Sequence, residues 1–370
     1  MALALYRKYR PKTFGEFLGQ ETNVAILKNA AKAGKIGHAY LFYGSRGTGK
    51  TTTARLIAKL LNCETRRTDP KFAAQGEPCN KCPSCVGIDT NSSLDVIEID
   101  AASNRGIDEI RNLKENIRTS PAVSSYKVYI IDEVHMLTGA AFNALLKTLE
   151  EPPAHAVFVL ATTEYDKLPA TITSRTQRFL FKKLPKVKIA ERISAIAKAE
   201  HIEISDEAVE LVAAAAEGSV RDGISILDQI ASGGKKVDLR TAEELTGRVG
   251  LQKVHELAER IMQNDLKGAL AHISSLHEEG HNLVQLTKDL IHYLRKIASL
   301  AANPAVESAF HLELTKDEIA RLTALARTAD LQKTVRLLKS LIRGYGEMRY
   351  SPFAMIPLEI ALIENLSESG

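Results

Sequence analysis

The chain has 370 residues, 45% of them hydrophobic and 25% charged, with a formal net charge of +4, four cysteines and no tryptophan. That length allows two or three domains with cores of their own, and the composition excludes a disordered or low-complexity chain. No apolar run approaches the ~20 residues of a membrane span, and the mild basicity permits contact with nucleic acid without requiring it.

The opening Met1-Ala2-Leu3-Ala4-Leu5 is apolar but short, and its basic residues follow it rather than precede it, the reverse of a secretory signal. The chain therefore reads as cytoplasmic. Leu5-Tyr6-Arg7-Lys8-Tyr9-Arg10-Pro11 mixes basic and aromatic residues. It is either a solvated arm or a lip over a bound base, with Tyr6, Arg7, Tyr9 and Arg10 able to stack on a flat ring. Residues 24–33 have helical spacing and stop at Gly34. Ala39-Tyr40-Leu41-Phe42-Tyr43 is strand-like and runs into Gly44-Ser45-Arg46-Gly47-Thr48-Gly49-Lys50-Thr51, after which residues 52–61 return to helical spacing. Strand, glycine loop and helix N-terminus together make an anion site for a nucleoside triphosphate. The glycines let backbone N–H groups turn inward at phosphate, Lys50 suits the outer phosphates, the Thr51 hydroxyl suits magnesium, and Thr52 adjoins them.

All four cysteines follow, as Cys63, Cys79, Cys82 and Cys85. C-x-x-C-x-x-C with one upstream partner is metal-ligand spacing, and four thiolates suit a structural zinc with no open position for substrate. Pro70, Gly76, Pro78 and Pro83 predict a loop-like insert over about 63–87, without a core of its own and held together by the metal. Residues 94–99 form a second strand and 107–117 a helix. Lys127-Val128-Tyr129-Ile130-Ile131 then reads as a buried parallel strand ending in Asp132-Glu133, the Walker B pattern. Asp132 would hold magnesium, and Glu133 would orient and polarise an attacking water. Residues 142–149 are helical up to Pro152-Pro153, and 156–160 form a strand that ends near Thr163, whose hydroxyl could reach the γ-phosphate or its water. Residues 177–181 form a last short strand. Alternation of this kind gives a doubly wound parallel sheet with ligands at the carboxyl ends of its strands.

After Pro185 the texture becomes helical. Helices are expected over 189–199, over 206–216 with Ser205 as N-cap, from Gly218 to about Ile230, and over 241–246, with a turn at 232–236. This segment reads as a small all-helical domain. From Leu251 onward the pattern gives about five more helices with apolar stripes suited to core or subunit interface. His277-Glu278-Glu279-Gly280-His281 fits H-E-x-x-H, but Gly280 should end the helix before His281.

Several of these stretches carry a family resemblance. They are residues 6–11, the loop 44–51, the cysteines behind its helix, Ile131-Asp132-Glu133-Val134-His135-Met136-Leu137, residues 143–153 (NALLKTLEEPP), Ser174-Arg175 and Gly218-Ser219-Val220-Arg221-Asp222. Together they resemble the gamma/tau-type clamp-loader ATPases of bacteria, within the AAA+ ATPases, over the whole chain. The resemblance implies an α/β AAA+ P-loop domain over 1–183 with a zinc-binding insert, a helical lid over 184–247 and an all-helical collar over 248–370. It implies an ATPase motor, using ATP, Mg2+ and Zn2+, that opens a sliding clamp and loads it onto primer–template DNA at the replication fork. Arg175 would be an arginine finger acting on ATP in a neighbouring subunit, and Arg221 would sense the γ-phosphate in its own. Thr176 stands where the family usually has cysteine. Implied partners are the other subunits of a five-subunit ring, the clamp, the DNA, and the replicative polymerase and helicase through any longer C-terminal form, with no membrane. Arg105, Lys114 and Arg118 are candidate DNA-phosphate contacts. Rival readings are a helicase or helicase loader, a non-hydrolysing scaffold, and a polymerase, for which no domain is visible.

Overall fold

Five short runs rich in β-branched and aromatic residues form one parallel sheet in the computed structural model. They are β1 (Ala39–Gly44), β2 (Val96–Asp100), β3 (Lys127–Asp132), β4 (Ala156–Thr162) and β5 (Gln177–Phe181), in the order β2-β3-β4-β1-β5. The structure describes residues 3–103, 115–234, 236–310 and 313–367. The helix expected over 107–117 falls mainly outside the described residues, as do Arg105 and Lys114, while Arg118 is exposed.

Two cores explain why these runs are strands. On one face Tyr129, Ile131, Phe158 and Leu160 pack with Phe142, Leu145 and Leu149 of the helix Gly139–Glu150. On the other, Tyr40, Phe42, Val128, Ile130, Val157 and Val159 pack with Leu56, Ile57 and Leu60 of the helix Lys50–Asn62. Successive residues of a strand point to opposite faces, so a strand covered on both sides must be apolar throughout. β4, the middle strand, is buried at all seven positions.

Tertiary contacts divide the chain into two units, Met1–Leu184 with Ser219–Arg221, and Pro185–Gly218 with Asp222–Gly370. The second unit begins with the helices Lys186–Ala199 and Asp206–Ala215, the helix Val220–Ala231 from Asp222 onward, and Leu239–Thr246. Ser205 caps the second of these by accepting from the Ala208 amide. The all-helical expectation misses a parallel bridge between Glu203–Ile204 and Lys236–Val237, too short to show any period. Beyond Leu251 the described residues hold seven α-helices rather than about five, one of them the single turn Glu307–Phe310. Their stripes build a separate core around Leu257, Leu290, Leu294, Leu322, Leu341 and Leu362. The helix Leu266–Glu278 ends before His281, and Gly280 has φ +82°. The two histidines of H-E-x-x-H are therefore not on one helix face. No helix among the described residues is long and apolar enough to cross a membrane.

One buried acid holds the far side of the sheet. Asp95, 1% exposed, accepts from the amides of Ala122, Val123 and Ser124 at 2.7, 2.9 and 2.7 Å. Burial opposes its ionisation, but these amides outweigh burial and hold the carboxyl below its ordinary value. A depressed carboxyl stabilises the fold fully above its unfolded pKa of about 3.9, and that stabilisation is lost as pH falls through the lowered folded value. Asp95→Asn is expected to cost about 2 kcal/mol in urea unfolding at neutral pH, and the cost should shrink as the pH is taken below about 4.

Candidate nucleotide site and metal centre

The glycine loop leaves the carboxyl end of β1 and enters the helix Lys50–Asn62, whose first N–H groups have no partner within the helix. Gly47 (φ +72°) and Gly49 (φ +104°) both require the left-handed region. A Cβ on Gly49 would come within 2.5 Å of Phe17 Cε1, and one on Gly47 would collide with Ser219 Oγ. Any side chain at either place would therefore push the loop out of shape. Thr48 is buried and donates to the Ser45 carbonyl at 2.8 Å, while Arg46 is exposed and Thr52 half-buried. The Lys50 amine donates to the carbonyls of Gly44 and Ser45 at 2.8 and 2.9 Å. Burial pulls its pKa down against the opposing attraction of Glu133 and Asp132.

The two acids lie where the sheet order demands. β4 separates β1 from β3, so the loop and the end of β3 face each other across one strand. Thr51 Oγ1 donates to Asp132 Oδ2 at 2.7 Å, and the Glu133 amide donates to Asp132 Oδ1 at 3.0 Å. Glu133 has left-handed backbone (φ +48°, ψ +45°), which turns its side chain away from the line of β3. Its Oε2 accepts from the Thr163 amide at 3.1 Å and from Thr163 Oγ1 at 2.8 Å. The structure thus brings Lys50, Thr51, Asp132, Glu133 and Thr163 together. Sequence reasoning named His135 only as part of the run 131–137 and gave it no role. Its Nδ1 lies 2.9 Å from Thr162 Oγ1 and 3.4 Å from Glu133 Oε2, and its Nε2 lies 3.1 Å from Glu164 Oε1.

The N-terminal arm is ordered as the turn Leu5–Lys8. The Arg221 guanidinium lies 4.9 Å from the centre of the Tyr6 ring and that of Arg7 lies 5.8 Å from it, within cation–π range. The Arg7 side chain also donates to Tyr6 Oη at 3.2 Å. Tyr9 is half-buried beside them, and burial together with neighbouring Arg55 draws the Arg10 guanidinium below its ordinary value.

Arg175 is elsewhere. Gln177 pairs with Tyr40 and Phe181 with Gly44, so Arg175 precedes the amino end of β5 while the loop leaves the carboxyl end of β1. Its guanidinium pairs with Glu150 at 2.6 Å and donates to the Thr171 carbonyl at 2.8 Å. It borders a shallow cleft of about 490 Å³ shared with His38, Leu149 and Gln177.

The four cysteine Sγ atoms lie within 4.8 Å of one another, and those of Cys79 and Cys85 are 4.0 Å apart. Ligand bonds of about 2.3 Å to a tetrahedral zinc require sulfur separations of about 3.8 Å, so the set fits one such ion. Backbone amides already point at sulfur: Cys79 at Cys63, Lys81 and Cys82 at Cys79, and Cys85 at Cys82, at 3.3–3.5 Å. Such donors favour thiolate. At Cys79, burial works against ionisation, but hydrogen bonds from Thr65 and these amides bring the thiol down to about 6. The insert is not the loop its prolines suggested. Pro70 and Pro83 stand in the first turns of the helices Pro70–Ala73 and Pro83–Asp89, behind the caps Asp69 and Cys82, where a missing N–H costs nothing. Ile88 enters the same core as Leu56 and Leu60.

Three protein-family models match consecutive parts of the chain. They are DNA polymerase III, delta subunit, over residues 19–185; DNA polymerase III clamp loader subunit, ATPase lid domain, over 188–235; and DNA polymerase III subunits gamma and tau domain III, over 237–369. The chain is 41% identical over 363 residues to DNA polymerase III subunit tau of Bacillus subtilis (strain 168), covering 98% of this chain and 62% of that protein. It is 39% identical over 364 residues to the tau subunit of Escherichia coli (strain K12), covering 98% and 55%. It is 37% identical over 372 residues to DNA polymerase III subunit gamma/tau of Mycobacterium tuberculosis (strain ATCC 25618 / H37Rv), covering 100% and 63%. The chain therefore spans only 55–63% of the length of these relatives. With the three models following one another along the sequence and relatives matched at 37–41% identity over nearly all of it, the chain belongs to the gamma and tau family of DNA polymerase III subunits.

Proposed function

We propose that this chain is the ATP-hydrolysing motor subunit of a bacterial clamp loader, converting ATP and water to ADP and phosphate in order to open a sliding clamp and load it onto primed DNA. The observation that carries the reading is the Thr51–Asp132 contact of 2.7 Å at the mouth of the loop, with Glu133 held beside it by Thr163. A hydroxyl and a carboxylate at that distance suit a magnesium ion, and a second carboxylate alongside suits a water. Magnesium, when bound, neutralises charge on the β- and γ-phosphate oxygens. The loop amides and Lys50 cradle the phosphates, and Glu133 orients the attacking water. Thr163 keeps the Glu133 carboxylate from rotating away. Tyr6, Arg7, Tyr9 and Arg10 line the base side, and Arg221 reports the γ-phosphate from the lid at 184–247.

Arg175 acts on the ATP of a neighbouring subunit in a five-subunit ring. Support comes from its position at the opposite end of the sheet from its own loop. The collar at 248–370 joins the ring. Its last two helices expose Val335, Ile342, Ile356, Ile360 and Ile363, an apolar face of the kind that marks an interface. The sliding clamp and primer–template DNA are the substrates of the assembly. The replicative polymerase and helicase engage through a longer C-terminal form, in the cytoplasm at the replication fork. The chain itself does not polymerise nucleotides.

The cysteines hold one structural zinc. Metal analysis of unchelated protein is expected to find about one zinc per chain, and less than about half would exclude it. The function is tested by ATP turnover with clamp and primed DNA, each omitted in turn. Stimulation that needs both is expected; strand unwinding by the isolated chain would instead make it a helicase.

A further inference from the structure

Glu77 lies two residues before Cys79, and neither the loop pattern nor the cysteine spacing calls for it. Its Oε2 accepts from the Phe14 amide at 2.8 Å and its Oε1 from the Gly15 amide at 3.1 Å, while Lys28 pairs with it at 2.8 Å. The amides belong to the turn Phe14–Glu16, which is rooted in the core by Phe14 at 1% exposure. The next residue, Phe17, has its ring against Gly49 so closely that not even a methyl group fits between them. A continuous set of contacts therefore runs from the cysteine cluster through Glu77 and this turn to the last glycine of the phosphate loop.

A second connection reaches the same loop from behind. Lys59, on the helix that the loop opens, donates to Asn80 Oδ1 at 2.8 Å and pairs with Asp89 at 2.6 Å. Asn80 lies between Cys79 and Cys82 with φ +58°. A third group, Arg66, donates to the backbone carbonyls of Leu60, Ala73, Glu77 and Ala31 at 3.0–3.4 Å. With Lys59 buried and Arg66 half-buried, these bonds tie the insert to the helix that the loop opens.

We infer that Glu77 is a positioning residue for the phosphate loop, and that through it occupancy of the cysteine centre and affinity for nucleotide are coupled. A metal ion holding Cys79 restrains Glu77 and so the Phe17–Gly49 contact. Coupling of this kind is reciprocal: nucleotide must tighten the metal by the factor by which the metal tightens nucleotide. The inference rests on the proposed readings of the loop as an ATP site and of the cysteines as a zinc site.

The test uses the full chain and a fluorescent ATP analogue, with zinc content measured in every sample. Zinc-loaded Glu77→Gln should retain its zinc and bind the analogue about 10-fold more weakly than the parent, within the usual range of coupling between sites. Asp95→Asn, destabilised but with its bonds to residues 122–124 rather than to the loop or the insert, should bind as the parent does, which separates positioning from general loss of stability. In chelator competition, saturating analogue should tighten zinc in the parent by a factor that falls toward one in Glu77→Gln. Parent-like nucleotide affinity in zinc-loaded Glu77→Gln, or zinc affinity indifferent to nucleotide in the parent, would overturn the inference while leaving both site readings intact. A parent chain that binds no analogue, or no zinc, would overturn the site readings and the inference with them.

Discussion

Arg175→Ala is expected to lower DNA-stimulated ATP turnover of the assembled complex by about 10³–10⁵, while ATP binding by the isolated chain stays as it was. The register of the sheet is the reason. Four residue steps lead from Gln177, opposite Tyr40, to Phe181, opposite Gly44. At about 3.3 Å per residue they span about 13 Å, and Arg175 lies two residues further from the loop. Its guanidinium is also turned to Glu150 and the Thr171 carbonyl. This placement, away from its own loop, is what supports the proposed role of Arg175 on a phosphate brought by another subunit. Phosphate release with clamp and primed DNA present measures the first quantity, and equilibrium binding of an ATP analogue the second. Normal stimulated turnover in the variant would remove the role altogether; weakened binding by the isolated chain would mean that Arg175 acts on its own site.

Asp89→Ala should be among the most destabilising single changes in the first unit, at about 3–5 kcal/mol. Lys59 is 1% exposed, so losing its carboxylate leaves an ammonium whose one remaining partner among the described residues is the Asn80 carbonyl oxygen. Lys59→Met should cost less, because Asp89 keeps 31% exposure and rehydrates while methionine fills the space of the lysine stem. The double variant should resemble Lys59→Met alone. Denaturant unfolding of zinc-loaded protein gives all three values in one cycle. Equal and additive losses would show that the two groups act independently.

What could be read from the sequence was whatever has a short period or a fixed spacing. Ile130 and Ile131 before Asp132, or the run Ala156 to Leu160, read as buried parallel strands because both faces are covered. The loop and the acids of β3 were legible because the chemistry needs adjacent residues. Glu77, Lys59 and Asp95 were not, since their partners lie 21 to 63 residues away and no local pattern marks a lone polar residue as one that is held inside the fold. The insert misled for the opposite reason. Proline was read as a breaker, whereas Pro70 and Pro83 follow capping residues and begin helices.

Glu133 carries a consequence of another kind. Of the six non-glycine residues described with positive φ, three are asparagines, the side chain that tolerates this region best. A glutamate at φ +48° gives up roughly 1 kcal/mol to its backbone. Its bonds with Thr163 return some of that, but Gly or Asn would relieve the strain at source. Under selection for heat resistance alone, this position should be among the first to drift toward Gly or Asn. An acid placed where its own backbone disfavours it sets the proposed role of Glu133 against the preference of the fold.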